Sequence, residues 1–212
     1  MVQLLTDREQ LLLGTIATKI HIAPRATVYR QDSLAEWIFI VDHGVAKSFR
    51  ELPSGRQQVM NFLFPGDLFG LAERGVYVNT VRAITPLTAY RIRLDALSNE
   101  FRRNTGLEAQ LLRKITHELR ESQRRTVVFS RHDAIGRVAM FLHMLEARQE
   151  GEGPTIDVPM SRTDIGRYVG LSLEAVSRAT AKLARDGILE FPTLHTARVV
   201  DRKRFDRLVE DV

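Results

Sequence analysis

The sequence contains no cysteine. Disulfides, cysteine-ligated iron–sulfur clusters, thiolate zinc sites and thiol redox switches are therefore excluded. It also lacks any run of about 18 apolar residues, so no membrane-spanning helix is expected. Near the start, Thr6, Asp7, Arg8 and Glu9 interrupt the apolar residues, and Leu11–Leu13 is too short for the core of a signal peptide. The expectation is a cytoplasmic protein with no membrane partner. Enzyme signatures are missing too. There is no phosphate-cradling glycine loop, no His-Glu-x-x-His, no nucleophile elbow and no pair of carboxylates on one predicted face. A non-enzymatic protein is expected.

Charge of one sign is scarce as well. The net charge is +5. Residues 1–130 hold 18 Lys/Arg and 13 Asp/Glu, and residues 131–212 hold 13 of each. A basic chain suggests a nucleic-acid partner, but here the excess lies in the first part. The later part is basic only locally. Between Ser161 and Arg185 stand Arg162, Arg167, Arg178, Lys182 and Arg185 against Asp164 and Glu174.

Three regions follow from the patterning. Residues 1–95 open with Thr6-Asp7-Arg8-Glu9, a capping-box pattern before Leu11, Leu12, Leu13 and Ile16, which predicts a short helix. Strand-like runs follow at Trp37–Val41, Gln58–Phe64 and Leu87–Ile92, rich in β-branched and aromatic residues. Pro53-Ser54-Gly55 and Pro65-Gly66-Asp67 read as turns. Short strands with regular turn signals predict a β-sandwich or barrel.

Residues 96–130 contain one glycine and no proline. Leu107, Leu111, Leu112, Ile115 and Leu119, continued by Ser122 and Thr126, form a narrow stripe on a long amphipathic helix. So narrow a seam suits a coiled-coil partner better than a broad core. The alternative is a helix lying on its own β-domain.

Residues 131–212 read as helix, loop, helix, tight turn, helix, hairpin. Asp133 can cap the first helix, and Ser161, with Asp164 three residues on, the second. Gly170 suits the left-handed position after that helix, and Ser172 caps the next, which ends near Gly187. Helix, short glycine turn and helix form a helix-turn-helix, followed by a two-stranded wing. On the last helix Val176, Ala179, Thr180 and Leu183 share the inward face. Glu174, Ser177 and Arg178 share the outward face of its first turns, where a recognition helix meets base edges. Arginine can hold guanine bidentately, glutamate accepts from the cytosine amine, and serine is permissive. Ser161, Arg162, Ser172, Lys182 and Arg185 are the candidate phosphate contacts. The alternative reading makes Glu174 and Arg178 a surface ion pair.

The stretch from Met160 to Arg178 closely resembles the helix-turn-helix of the Crp/Fnr regulators. It is similar above all to the cysteine-free members of the Fnr and FixK branch, which carry Glu-x-x-Ser-Arg in the recognition helix. Here those residues are Glu174, Ser177 and Arg178. Phe64-Pro65-Gly66-Asp67-Leu68-Phe69-Gly70 resembles the β-roll signature of the same family. The resemblance covers nearly the whole chain. It implies an α+β fold: a cyclic-nucleotide-binding-like β-roll sensor domain over residues 1–95, a dimerisation helix over 96–130, and a winged helix-turn-helix over 131–212. It further implies a homodimer on promoter DNA, usually an activator that contacts RNA polymerase, at a TTGAT…ATCAA palindrome. Under the resemblance the dimer reading of Leu107, Leu111, Leu112, Ile115, Leu119 and Ser122 takes precedence.

The departures concern the effector. The cyclic-AMP branch holds its nucleotide with a Gly-Glu-Leu and an Arg-Ser/Thr pair. Here Gly70-Leu71-Ala72 aligns with the first, and the second falls near Tyr77-Val78. A cyclic phosphate would meet Tyr and Val where it needs a cation and a hydroxyl. Cyclic AMP is therefore rejected as effector, and the cysteine cluster of oxygen-sensing members is absent. No cofactor is expected. What remains is a heme or small-molecule sensor, or a member controlled by its own synthesis. A cyclic-nucleotide-fold regulatory subunit is the rival that the recognition helix argues against. Heme stays open through His21, His43, His117, His132, His143 and His195, none of which has metal-ligand spacing.

Overall fold

A computed structural model describes residues 13–131, 133–149 and 153–210. The chain divides into two compact units, one up to Glu121 and one from Ser122 onward.

The first unit is built from β1 (Ala17–Ile22), β2 (Thr27–Tyr29), β3 (Trp37–His43), β4 (Ala46–Glu51), β5 (Gln57–Leu63), β6 (Leu68–Phe69), β7 (Ala72–Glu73), β8 (Val76–Tyr77), β9 (Thr80–Ala83) and β10 (Leu87–Arg93). Two four-stranded sheets form, in the orders β1-β10-β3-β6 and β2-β9-β4-β5, and β7 pairs with β8. Neighbouring strands are antiparallel, as in a roll. Between the sheets lie Phe39, Val41, Leu63, Phe69, Val81 and Ala89. β3 buries Ile38 as well as Phe39. It is covered on both faces, which explains its unbroken apolar run at Trp37–Val41.

The outer face of the first sheet is covered by helices. α1 (Leu94–Arg103) and α2 (Thr105–Arg131) follow β10 directly. Ile38 and Ile92 pack there with Leu13, Leu97, Leu107 and Leu111. The single helix expected over residues 96–130 is thus two helices. Asn104 leaves helical geometry at φ −140° and ψ 85°. Its side-chain oxygen accepts from the Leu107 amide at 3.3 Å, which starts α2 afresh. The helix expected from Thr6 to Ile16 falls mostly outside the described residues, of which 13–16 are helical.

The second unit holds α3 (Ala134–Glu146), β11 (Thr155–Asp157), α4 (Arg162–Val169), α5 (Leu173–Arg185), β12 (Leu189–Thr193), β13 (Thr196–Val199) and α6 (Arg202–Glu210). As expected, Asp133 caps α3 by accepting from the Gly136 amide at 2.8 Å. The strands form one sheet in the order β11-β13-β12. Phe141, Ile156, Met160, Leu183, Leu189 and Phe205 fill the core and are at most 1% exposed. This is a winged helix-turn-helix with an added strand and a closing helix, β11 and α6, which sequence reading missed. The α+β architecture expected from the sequence is the one observed.

Candidate nucleic-acid interface

The two helices of the helix-turn-helix are set by three local devices. The Ser161 hydroxyl oxygen accepts from the Asp164 amide at 3.1 Å and starts α4. Gly170 ends it at φ +74°, in the left-handed region, and its N–H donates to the Gly166 carbonyl. The Ser172 oxygen then accepts from the Ala175 amide at 3.2 Å and starts α5. The turn is tight enough to need a second glycine. A Cβ on Gly166 would lie 2.6 Å from the Leu171 carbonyl oxygen.

α5 divides as its periodicity predicts. Val176, Ala179, Thr180 and Leu183 are buried. Glu174 and Arg178 are exposed and Ser177 is half-buried. The Glu174 carboxylate is held below its usual range, first by its own backbone N–H, then by the Ser172 hydroxyl. Arg178 acts on it only through its charge. The Arg178 fork is thus not committed to the ion pair that the alternative reading supposed. Sequence reading passed over Leu173, the first residue of α5, which is 44% exposed beside Glu174. An apolar residue beside Glu174 at the start of the outward face was the available signal.

The phosphate candidates differ among themselves. Ser161 and Ser172 use their oxygen lone pairs as caps, and Ser172 also serves Glu174. A hydroxyl keeps one donor and two acceptor sites, so capping leaves the O–H of Ser161 able to donate. Lys182 is paired with Asp186 at 2.7 Å, one turn on. Arg185 is exposed. Arg162 is half-buried and lines a small pocket with Phe141, Thr180 and Phe191. At the wing tip Leu194 is 72% exposed, and His195 Nδ1 lies 3.1 Å from the Val158 carbonyl oxygen.

On α2 the expected seam splits. Leu107 and Leu111 are buried in the β-domain, and Ile115 packs against the same cluster. Leu107 and Leu111, expected on a partner-facing seam, pack instead over Ile38 and Ile92 in this chain's own core. Leu112 and Leu119 are 64% and 57% exposed, and Ser122 is exposed with them.

Inside the roll, Tyr29, Phe39, Phe69 and Tyr77 form one aromatic stack. Tyr29 and Tyr77 lie 3.8 Å apart at 16°. Phe39 and Phe69 lie 5.0 Å apart at 15°, and Tyr29 bridges to Phe39 at 5.7 Å. The Tyr77 hydroxyl donates to the Trp37 carbonyl at 2.8 Å and accepts from the Trp37 amide at 3.2 Å. Burial pushes the Tyr29 phenol well above its ordinary pKa. Leu71 is 44% exposed and Val78 half-buried.

His21 and His43 stand on the roll surface beside Thr88 and Asp42. His143 packs on Phe205, and His195 is in the wing. His132 lies outside the described residues. Among the described residues no group of three or more His, Asp or Glu is placed to hold a metal ion. No described helix is long and apolar enough to cross a membrane.

Residues 136–208 match the family described as the Crp-like helix-turn-helix domain, and residues 19–104 the cyclic nucleotide-binding domain. The chain is 30% identical over 200 residues to the transcriptional activatory protein AadR of Rhodopseudomonas palustris, covering 91% of this chain and 82% of that protein. It is 33% identical over 179 residues to the nitrogen fixation regulation protein FixK of Rhizobium meliloti, covering 84% and 79%. The solved structure of FixK2 from Bradyrhizobium japonicum superposes with a TM-score of 0.84 at 30% identity, covering 92% of this chain and 98% of that one.

Proposed function

Because the chain belongs to the Crp/Fnr family of transcription regulators, we propose that it binds promoter DNA as a homodimer, with α5 in the major groove. The observation that carries this reading is the outward face of α5. An ionised Glu174 and an uncommitted Arg178 stand one turn apart on a helix whose other face is fully packed. Arg178 supplies a bidentate contact to guanine and Glu174 accepts from the paired cytosine. Ser177 tunes the flanking position, and Leu173 meets a thymine methyl group. The site is a palindrome of the TTGAT…ATCAA type. Ser161, Arg162 and Arg185 hold phosphate; Lys182 does so by exchanging its bond to Asp186 for one to DNA, and Ser172 by releasing Glu174.

The second copy docks along Leu112, Leu119 and Ser122, the exposed side of α2. The division of labour is a roll to about residue 95, a dimerisation segment over 96–130 and a reading head over 131–212. The name of AadR, a transcriptional activatory protein, supports activation. RNA polymerase is the further partner in this reading. Cyclic AMP has no role. The residues at its positions do not fit it: Tyr77 uses its hydroxyl on Trp37 and lies in the stack that fills the roll.

The test is a binding titration on matched and scrambled duplexes at two salt concentrations. Arg178→Ala should cost about 1–3 kcal/mol on the matched site and little on the scrambled one. Equal losses on both would make Arg178 a phosphate clamp and contradict the base-reading role.

A further inference from the structure

Arg91 sits on the inner face of β10, opposite Thr18 of β1 and Phe39 of β3. Its guanidinium carbon lies 4.5 Å from the ring centre of Trp37, the only tryptophan in the chain. Arg93, the next inward residue, stands over the same ring at 5.5 Å. The two arginines differ in one respect. Arg93 is held bidentately by Asp95, with bonds of 3.0 and 2.8 Å. Arg91 has no carboxylate partner among the described residues, and its buried Nε has no hydrogen-bond acceptor.

A guanidinium drawn partly out of water needs a counter-charge or acceptors, and an aromatic face replaces them only in part. Its planar fork is shaped for a carboxylate or a phosphate group. The chain's own helices cannot supply one from α2, because Leu107 and Leu111 place that helix on the opposite, outer face of the sheet. We propose that the Arg91–Trp37 edge of the roll binds a small-molecule oxyanion, a carboxylate or phosphate group. The Arg91 fork and the Trp37 ring differ from Leu71, Tyr77 and Val78, where a cyclic nucleotide would be expected, although the Tyr77 hydroxyl bonds the Trp37 backbone. Arg91 supplies the fork, the exposed Thr18 across the strand a hydroxyl, and Trp37 the wall that fixes the guanidinium plane. This gives a roll whose centre is filled with side chains a ligand position at its rim. The inference does not depend on the DNA-binding reading, since it is read without DNA.

The single tryptophan is the reporter. The full chain is titrated with inorganic phosphate and, separately, with benzoate, at ionic strength held constant with sodium chloride, while Trp37 emission is followed. A saturable change with either probe is expected, and the probe that saturates at lower concentration identifies the class. Arg91→Gln should abolish saturation and Arg91→Lys should weaken it several-fold, with unchanged far-ultraviolet circular dichroism in both. Responses no different from chloride for both probes would overturn the proposal on the wild-type protein alone. So would saturation that survives Arg91→Gln. Emission that ignores anions but changes on dilution would also overturn it, by assigning Arg91 to a contact with a second copy.

Discussion

The roll and the reading head solve opposite problems with similar residue types. In the roll, polar aromatic side chains are turned inward. Tyr77 closes its hydroxyl on Trp37, and Tyr29 stacks on it at 3.8 Å. In the head, the side chains with recognition chemistry are turned outward on α5, over a core closed by Val176 and Leu183. α2 carries both characters, with Leu107 and Leu111 buried on the roll and Leu112 and Leu119 exposed. A domain that matches the cyclic nucleotide-binding family thus holds its interior with its own side chains, while α5 keeps Glu174 and Arg178 exposed.

Emptying the roll should cost the molecule most. Tyr77→Ala removes a stacked ring and a hydrogen bond to Trp37. It should destabilise the first unit by about 3–5 kcal/mol, the range for deleting a buried aromatic side chain. Chemical denaturation followed by Trp37 emission measures this. A loss under about 1 kcal/mol would mean the stack is not structural.

Within α2 the buried and the exposed leucines should respond differently. Leu119→Asp should weaken association about tenfold or more, equivalent to about 1.4 kcal/mol, while the roll stays folded. Leu107→Asp should instead unfold the roll. Light scattering across a dilution series, with circular dichroism as control, separates the two. An intact Leu119→Asp dimer would remove the exposed face from the interface.

The smallest effect lies in the head. Glu146 is held below the usual carboxylate range, chiefly by its bond to Arg202, which ties α6 to α3. A depressed folded-state pKa stabilises above the unfolded value, about 4.3 for glutamate, and that stabilisation fades as pH falls through the folded value. Glu146→Gln should therefore lower the melting temperature at neutral pH, and the gap to wild type should begin to narrow below about pH 4.3 and close only below the depressed folded value. A gap independent of pH would show that the Arg202 contact contributes nothing through charge.

The head was legible because its signals are local. Ser161, Gly170 and Ser172 each fix a helix end within a few residues, and the spacing of Val176, Ala179 and Leu183 fixes the outward face. The roll was legible as a class but not in its interior. Tyr29 and Tyr77 are far apart in sequence, and a tyrosine lining a pocket reads the same as one filling it. The stripe on α2 was visible, yet a repeat of three and four residues does not say which leucines face the chain's own sheet. β11 was too short to show a period. In α6, Phe205 is the one residue that is fully buried among Arg202, Lys203, Arg204 and Arg207, so its apolar face was hidden by charge.

In the proposed reading α5 recognises a specific duplex, and the aromatic stack of the roll leaves cyclic AMP no part in it. Fluorescence anisotropy of a labelled TTGAT…ATCAA duplex, titrated with the full chain with and without cyclic AMP against a scrambled duplex, tests it most directly. Tighter binding to the matched duplex, unchanged by cyclic AMP, is expected. Equal binding to both duplexes, or matched binding that appears only with cyclic AMP, would contradict it.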